Sequence, residues 1–176
     1  PVLFIPVENP RNTFASVMRE FYPKKSPSGI SPTAIIGENC VLGANVYLGH
    51  HVVLGNNVKI GDNTQVDSNV TIYDDITIGN DCVIHSGVVI GADGFGYEQD
   101  EQGNPFKFPH IGGVVIVDHV EIGCNTIIAR GVLANTVIGE HVKIGNLSHI
   151  SHNVAIGKNA MITHQTHISG SNHIGG

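Results

Sequence analysis

The sequence predicts an all-β fold, a parallel β-helix of hexapeptide repeats, and three observations predict it. An aliphatic residue recurs every six positions from Ile30 to Ile90, again at 116, 122 and 128, and from Ile138 to Ile174. The fifth position of the unit is small or β-branched, as in Ala34, Cys40, Val46, Val52, Val58, Thr64 and Val70, later Val120, Thr126, Val132, Val142, Ser148 and Val154. Gly-Asn, Gly-Asp and Gly-Glu steps follow the aliphatic residue, as in Ile36-Gly37-Glu38 and Ile78-Gly79-Asn80. A period of six is neither the 3.6 of a helix nor the simple alternation of a strand, and it marks a solenoid of stacked turns.

The elements follow in chain order. Val2–Val7 reads as a strand, and Asn9-Pro10 as a helix cap and first helical residue. Phe14, Val17, Met18 and Phe21 continue at helical spacing. A lone strand and helix cannot enclose a core, so residues 1–29 read as the last pieces of an amino-terminal domain, with Lys24–Gly29 as linker. Residues 30–176 form the solenoid. Each hexad turns its first and fifth residues inward, and three hexads make one triangular coil. Residues eighteen apart then stack at about 4.8 Å, and roughly seven coils give a prism on the order of 34 Å tall. Burying about twenty aliphatic side chains, at roughly 1.5–3 kcal/mol each, makes a core that needs no metal or disulfide.

Two breaks interrupt the count. The segment from Gly91 to about Val115 carries Phe95, Tyr97, Phe106 and Phe108. A solenoid expels insertions at a corner, so this is a projecting loop, either a binding loop or one whose aromatics pack on its own coil or a neighbouring subunit. A smaller slip falls at Ala134–Val137, where the count loses two residues before Ile138.

Composition narrows the function. A net charge of −6 without a basic cluster gives no reason to expect nucleic acid. No apolar run approaches a membrane span, and the first residues do not read as a signal peptide. Cys40 and Cys82 take core positions and Cys124 a corner, which is no disulfide framework and suits a reducing cytoplasm.

Histidine carries the candidate chemistry: there are 11, concentrated after residue 140. His149 and His167 are eighteen apart and stack on one face, while His152 and His164 take corner positions. His50, His51, His119 and His141 read as solvated surface. A zinc site would need three His converging across a subunit boundary, and the mixed His-x2-His spacings without an acidic partner argue against a metal. A general base needs only one corner imidazole, and His152 is the choice, with the amide of Asn146 one hexad earlier to orient it or bind substrate.

The stretches HSGVVIGADGFGY (85–97), VEIGCNT (120–126), ARGVLANTVIG (129–139) and HISHNVAIG (149–157) occur in an order that resembles the UDP-3-O-(3-hydroxyacyl)glucosamine N-acyltransferases of lipid A biosynthesis. Val7–Arg11 resembles the exit of that family's uridine-binding domain. The resemblance implies a left-handed coil and a cytoplasmic homotrimer with active sites between subunits. It also implies transfer of a 3-hydroxyacyl group from the phosphopantetheine of acyl carrier protein to the 2-amino group of a UDP-linked glucosamine, with no permanently bound cofactor. His152 matches the catalytic His, while Asn146, Asn153, Phe95, Gly96 and Tyr97 are substrate-binding candidates. Most of the uridine-binding domain, later coils with a second functional His and terminal helices are not found here. The family usually has acids near Ala129, Ala134 and Gly145, and one at 145 would orient the His. Two further readings stand beside this one: an acetyl-CoA-dependent sugar N- or O-acetyltransferase, and a non-catalytic trimeric scaffold.

Overall fold

The computed structural model describes residues 4–23 and 27–175. The hexads form strands of two to four residues that fall in turn onto three seven-stranded parallel sheets, the faces of a prism. The stacking interval is the expected eighteen, as in Ile35 opposite Val53 and Leu54 opposite Ile72. Inward residues from Leu48 to Ile168 make one continuous core, and Leu54, Ile72, Ile90, Ile122 and Ile150 are at most 1% exposed. At the first coil Ile30 and Ile36 remain exposed. The polar inward positions are satisfied: Thr64 Oγ1 donates to the Gly79 carbonyl at 2.8 Å, and Thr126 Oγ1 to that of Gly145 at 3.0 Å. A buried hydroxyl without such a partner would be costly.

At the corners the glycine and the residues after it have separate tasks. The left-handed backbone conformation falls two residues after the glycine, on residues such as Asn39, Asn57, Asn63 and Asp81, with φ between 53° and 58°. Asn and Asp tolerate that region better than other side chains do. The glycine is needed for space, because a Cβ on Gly37 would meet the Gly55 carbonyl oxygen of the next coil at 2.4 Å. Between these two positions a side chain caps the preceding coil: Asn56 Oδ1 accepts from the Glu38 N–H at 2.8 Å, and Asp74 Oδ1 from that of Asn56 at 2.7 Å.

The helix forms over Pro10–Phe21, with Asn9 Oδ1 accepting from the Asn12 N–H at 3.0 Å. Its predicted apolar face is not buried; Phe14 and Phe21 are exposed. The expected Val2–Val7 strand does not appear over residues 4–7, and its start lies outside the described residues. The same holds for 24–26 of the linker, while Gly29 belongs to the first strand, Gly29–Ile30.

The first break is a projecting antiparallel hairpin, Tyr97–Gln99 with Pro105–Lys107, inserted between Val89–Ala92 and Val114–Ile116. The Asp100 carboxylate closes its tip by accepting from the Asn104 N–H at 2.8 Å. At its root Lys107 pairs with Asp93, and Arg130 donates to the carbonyls of Gly91 (2.8 Å) and Asp74 (2.6 Å). The second break corrects the count. Val115 lies opposite Val137 and Ile127 opposite His149, a stacking interval of twenty-two, so the coil gains four residues where a loss of two was expected. The bulge moves Val132 out of the core position assigned to it, and Thr136 is buried instead.

Candidate active site

The hairpin and the bulge stand side by side at one corner of the prism and enclose a cleft of about 390 Å³. Its walls are Phe95, Gly96, Tyr97, Glu98, Phe108 and His110 from the loop, Val132 from the bulge, and His152 from the coil below. Three of the predicted binding residues and the predicted base therefore share one space. Phe95 does not pack onto its own coil: it is 90% exposed and stands edge-on to Tyr97, with ring centroids 5.1 Å apart. Backbone bonds join the two walls, from the Ile111 N–H to the Val132 carbonyl at 2.8 Å and from the Gly112 N–H to that of Gly131 at 3.1 Å.

His152 occupies the corner position where other coils place a capping Asn or Asp. The residue stacked eighteen ahead is Gly170, whose missing side chain leaves room for the ring; a Cβ there would lie 2.6 Å from both Cε1 and Nε2 of His152. Behind the ring stands Asn153. The Val132 N–H, which can only donate, is 2.9 Å from its Oδ1, and the Ala134 carbonyl, which can only accept, is 3.2 Å from its Nδ2. These two backbone groups fix which way round the amide sits. His152 Nδ1 thus faces an oxygen at 3.1 Å and carries the ring hydrogen, so Nε2 keeps its lone pair. That is the tautomer a general base needs.

The two candidate asparagines lie in different places. Asn153 is not among the residues lining the cleft, and its amide holds the bulge and the imidazole together. Asn146 sits at a different corner, because one hexad advances the chain to the next face. Its Oδ1 caps the Cys124 N–H at 2.9 Å, and it lines a separate cavity of about 340 Å³ with His85, Glu121, Lys143 and His164. The amide that touches His152 is therefore Asn153. Gly145 shares that other corner, where a Cβ would meet His164 at 2.5 Å, so within one chain a side chain at 145 would not reach His152.

His164 accepts from the Asn146 N–H through Nδ1 at 2.8 Å, which leaves the hydrogen on its Nε2. The two corner imidazoles are opposite tautomers. His149 and His167 stack as expected, with centroids 5.0 Å apart, and burial followed by the neighbouring imidazole holds His149 below the ordinary histidine pKa. His119 and His141, read as plain surface, also stack at 4.6 Å; their ligand atoms and that of Glu140 lie within 4.8 Å of one another.

Burial pulls the His85 pKa down, but hydrogen bonds to Asp67 (2.9 Å) and Glu121 (3.2 Å) outweigh it and leave the pKa above the ordinary 6.5. A raised pKa in the folded state gives stabilisation that is complete below about pH 6.5 and is lost as pH rises through the raised value. A proton NMR titration of the imidazoles is expected to place the His85 midpoint above the ordinary range, and Asp67→Asn to lower it. A His85 midpoint unchanged by Asp67→Asn would remove the carboxylate as its cause.

Reasoning from sequence missed His110, Val132 and Glu98, and named Phe108 only as an aromatic of the loop. The signal for His110 was its place at the return of the loop, between Pro109 and the resumed hexads. It is 6% exposed, and its Nδ1 donates to the Phe108 carbonyl at 2.9 Å.

The profile of the bacterial transferase hexapeptide family (six repeats) matches residues 33–61, 57–92 and 135–170. A UDP-3-O-acylglucosamine N-acyltransferase 2 of Legionella pneumophila (strain Lens) is 50% identical over 91 residues, 52% of this chain and 26% of that protein. A UDP-3-O-acylglucosamine N-acyltransferase of Methylacidiphilum infernorum (isolate V4) is 56% identical over 87 residues, 49% of this chain and 24% of that protein. The matched region thus spans about a quarter of the length of these relatives. Among solved structures, a UDP-N-acetylglucosamine acyltransferase from Bacteroides fragilis 9343 superposes with a TM-score of 0.72 at 30% identity, covering 82% of this chain and 55% of that one. An N-acyltransferase from Bacillus cereus, solved with dTDP and 3-hydroxybutyryl-CoA, shares the fold at a TM-score of 0.61 and 24% identity, covering 76% of this chain and 73% of that one.

Proposed function

The chain belongs to the bacterial transferase hexapeptide family, and we propose that it acts as an N-acyltransferase of lipid A synthesis. In this reading a 3-hydroxyacyl group passes from the phosphopantetheine thioester of acyl carrier protein to the 2-amino group of a UDP-linked glucosamine. The observation that carries it is the Nε2 lone pair of His152, made available by Asn153 and held at the floor of a cleft walled by Phe95, Gly96 and Tyr97. The names borne by the relatives support the same chemistry.

The amine nitrogen attacks the thioester carbonyl carbon, and as the C–N bond forms His152 Nε2 takes a proton from the amine. Collapse of the tetrahedral intermediate breaks the C–S bond, and the leaving thiolate takes that proton back from the imidazolium. A positioned base of this kind contributes about 10²–10⁴-fold. Asn153 keeps the accepting nitrogen turned toward the amine, with a neutral amide where a carboxylate is the commoner partner of a catalytic imidazole.

The working assembly is a homotrimer in the cytoplasm, where the three free thiols stay reduced. Among the described residues no helix is long and apolar enough to cross a membrane. Sedimentation of the protein is expected to give three times the chain mass, and a monomer at micromolar concentration would remove the shared-cleft assembly.

The activity is tested by offering the complete protein two donors with a UDP-linked 2-amino sugar: 3-hydroxyacyl carried on acyl carrier protein, and acetyl-CoA. Amide product from the first alone is the expected result. Product from acetyl-CoA alone would reassign the chain to the sugar acetyltransferases, and product from neither would leave a scaffold.

A further inference from the structure

The cleft holds a second imidazole, and one of its nitrogens has no partner. His110 Nδ1 donates to the Phe108 carbonyl at 2.9 Å, and a carbonyl only accepts, so the ring hydrogen is on Nδ1. Nε2 then presents a lone pair. It is buried, and it is the one buried side-chain polar atom among the described residues without a hydrogen-bond partner. An acceptor sealed off in this way costs about 1–3 kcal/mol. Its surroundings show where a partner would come from. The His110 and His152 rings meet edge to face with centroids 5.3 Å apart. Both converge on one glycine: a Cβ on Gly94 would lie 2.9 Å from His110 Nε2 and 2.8 Å from His152 Cδ2. Gly96 stands on the other side, its Cβ position 3.6 Å from the same nitrogen. The two glycines flank the exposed Phe95, so the stretch closing over Nε2 has no side chain at either end to keep it shut.

We propose that His110 Nε2 accepts a hydrogen bond from a hydroxyl of the bound reactants, next to the group that His152 deprotonates. The inference rests on the acyl-transfer reading of the same cleft and adds a recognition residue to it. When Gly94–Gly96 yields to the incoming reactant, the hydroxyl supplies the donor that the free protein lacks. The site selects a hydroxylated reactant over its deoxy counterpart, because only the former satisfies the buried acceptor. Two sources have this chemistry, the hydroxyl on the acyl chain and those of the sugar.

The test compares His110→Phe, which keeps the edge contact with His152 but has no acceptor, with His110→Gln, which restores one. Each complete variant is assayed with 3-hydroxyacyl and matched unsubstituted acyl donors on acyl carrier protein. His110→Phe is expected to lose about 10–100-fold in kcat/KM on the hydroxylated donor, and His110→Gln to recover most of it. The melting temperature of His110→Phe should stay near the parent's, since removing the unsatisfied Nε2 offsets the loss of the Nδ1 hydrogen bond to Phe108. If the acyl hydroxyl is the partner, the parent's preference for the hydroxylated donor disappears in His110→Phe; if a sugar hydroxyl is, both donors fall together. Parent-like kinetics in His110→Phe would overturn the proposal, as would a His110→Gln enzyme no better than His110→Phe. An unmutated protein that transfers neither acyl group would overturn the acyl-transfer reading first, so the two failures are told apart.

Discussion

Replacing His152 with alanine in the complete protein lowers turnover by about 10²–10⁴-fold, equivalent to roughly 2.7–5.5 kcal/mol of transition-state stabilisation. The fold should survive, because the ring lies half-buried at a corner and belongs to no part of the continuous core. KM for both substrates should change little, since the lost interaction exists only while the proton is moving. Turnover near the unmutated level would transfer the base role to another residue, and with it the reading built on the Asn153–His152 pair.

Gly170→Ala is expected to lower turnover by about 10²-fold without touching a residue that meets the substrate. The new methyl group would occupy the place of Cε1 and Nε2, at 2.6 Å from each, and these are the far end of a side chain that can rotate. The ring therefore swings away, leaving the coil in place and its hydrogen bond to Asn153 lost. Thermal stability should change by about 0.5 kcal/mol or less, because Gly170 is only half-buried and lies outside the continuous core. The measurement is kcat beside a melting curve. Full activity would mean that the ring works from a different rotamer, whereas collapse of the fold would mean that Gly170 serves the stack as Gly37 does.

These two variants show where sequence reasoning stops. His152 and Gly170 were each readable as corner residues, since eighteen positions separate them, but the contact between them was not. The corner column ordinarily carries a capping Asn or Asp, and only the coordinates show an imidazole lying in the room that a glycine leaves. Asn146 illustrates the opposite error. One hexad of separation looks like proximity on paper, yet on a three-sided prism it is the distance between two corners. Asn153, adjacent in the chain, was legible as a neighbour of His152 but not as the group that selects its tautomer. That role depends on Val132 and Ala134, which a four-residue bulge brings down beside it.

The repeating chain by itself determined the architecture: a strict period of six leaves the inward residues only one way to be buried, and stacking at eighteen follows from three sides. The tertiary structure decided the cleft, because its walls come from the two segments that break the period. An insertion has no register to obey, so where His110 and Val132 come to rest is set by the coils on which they close.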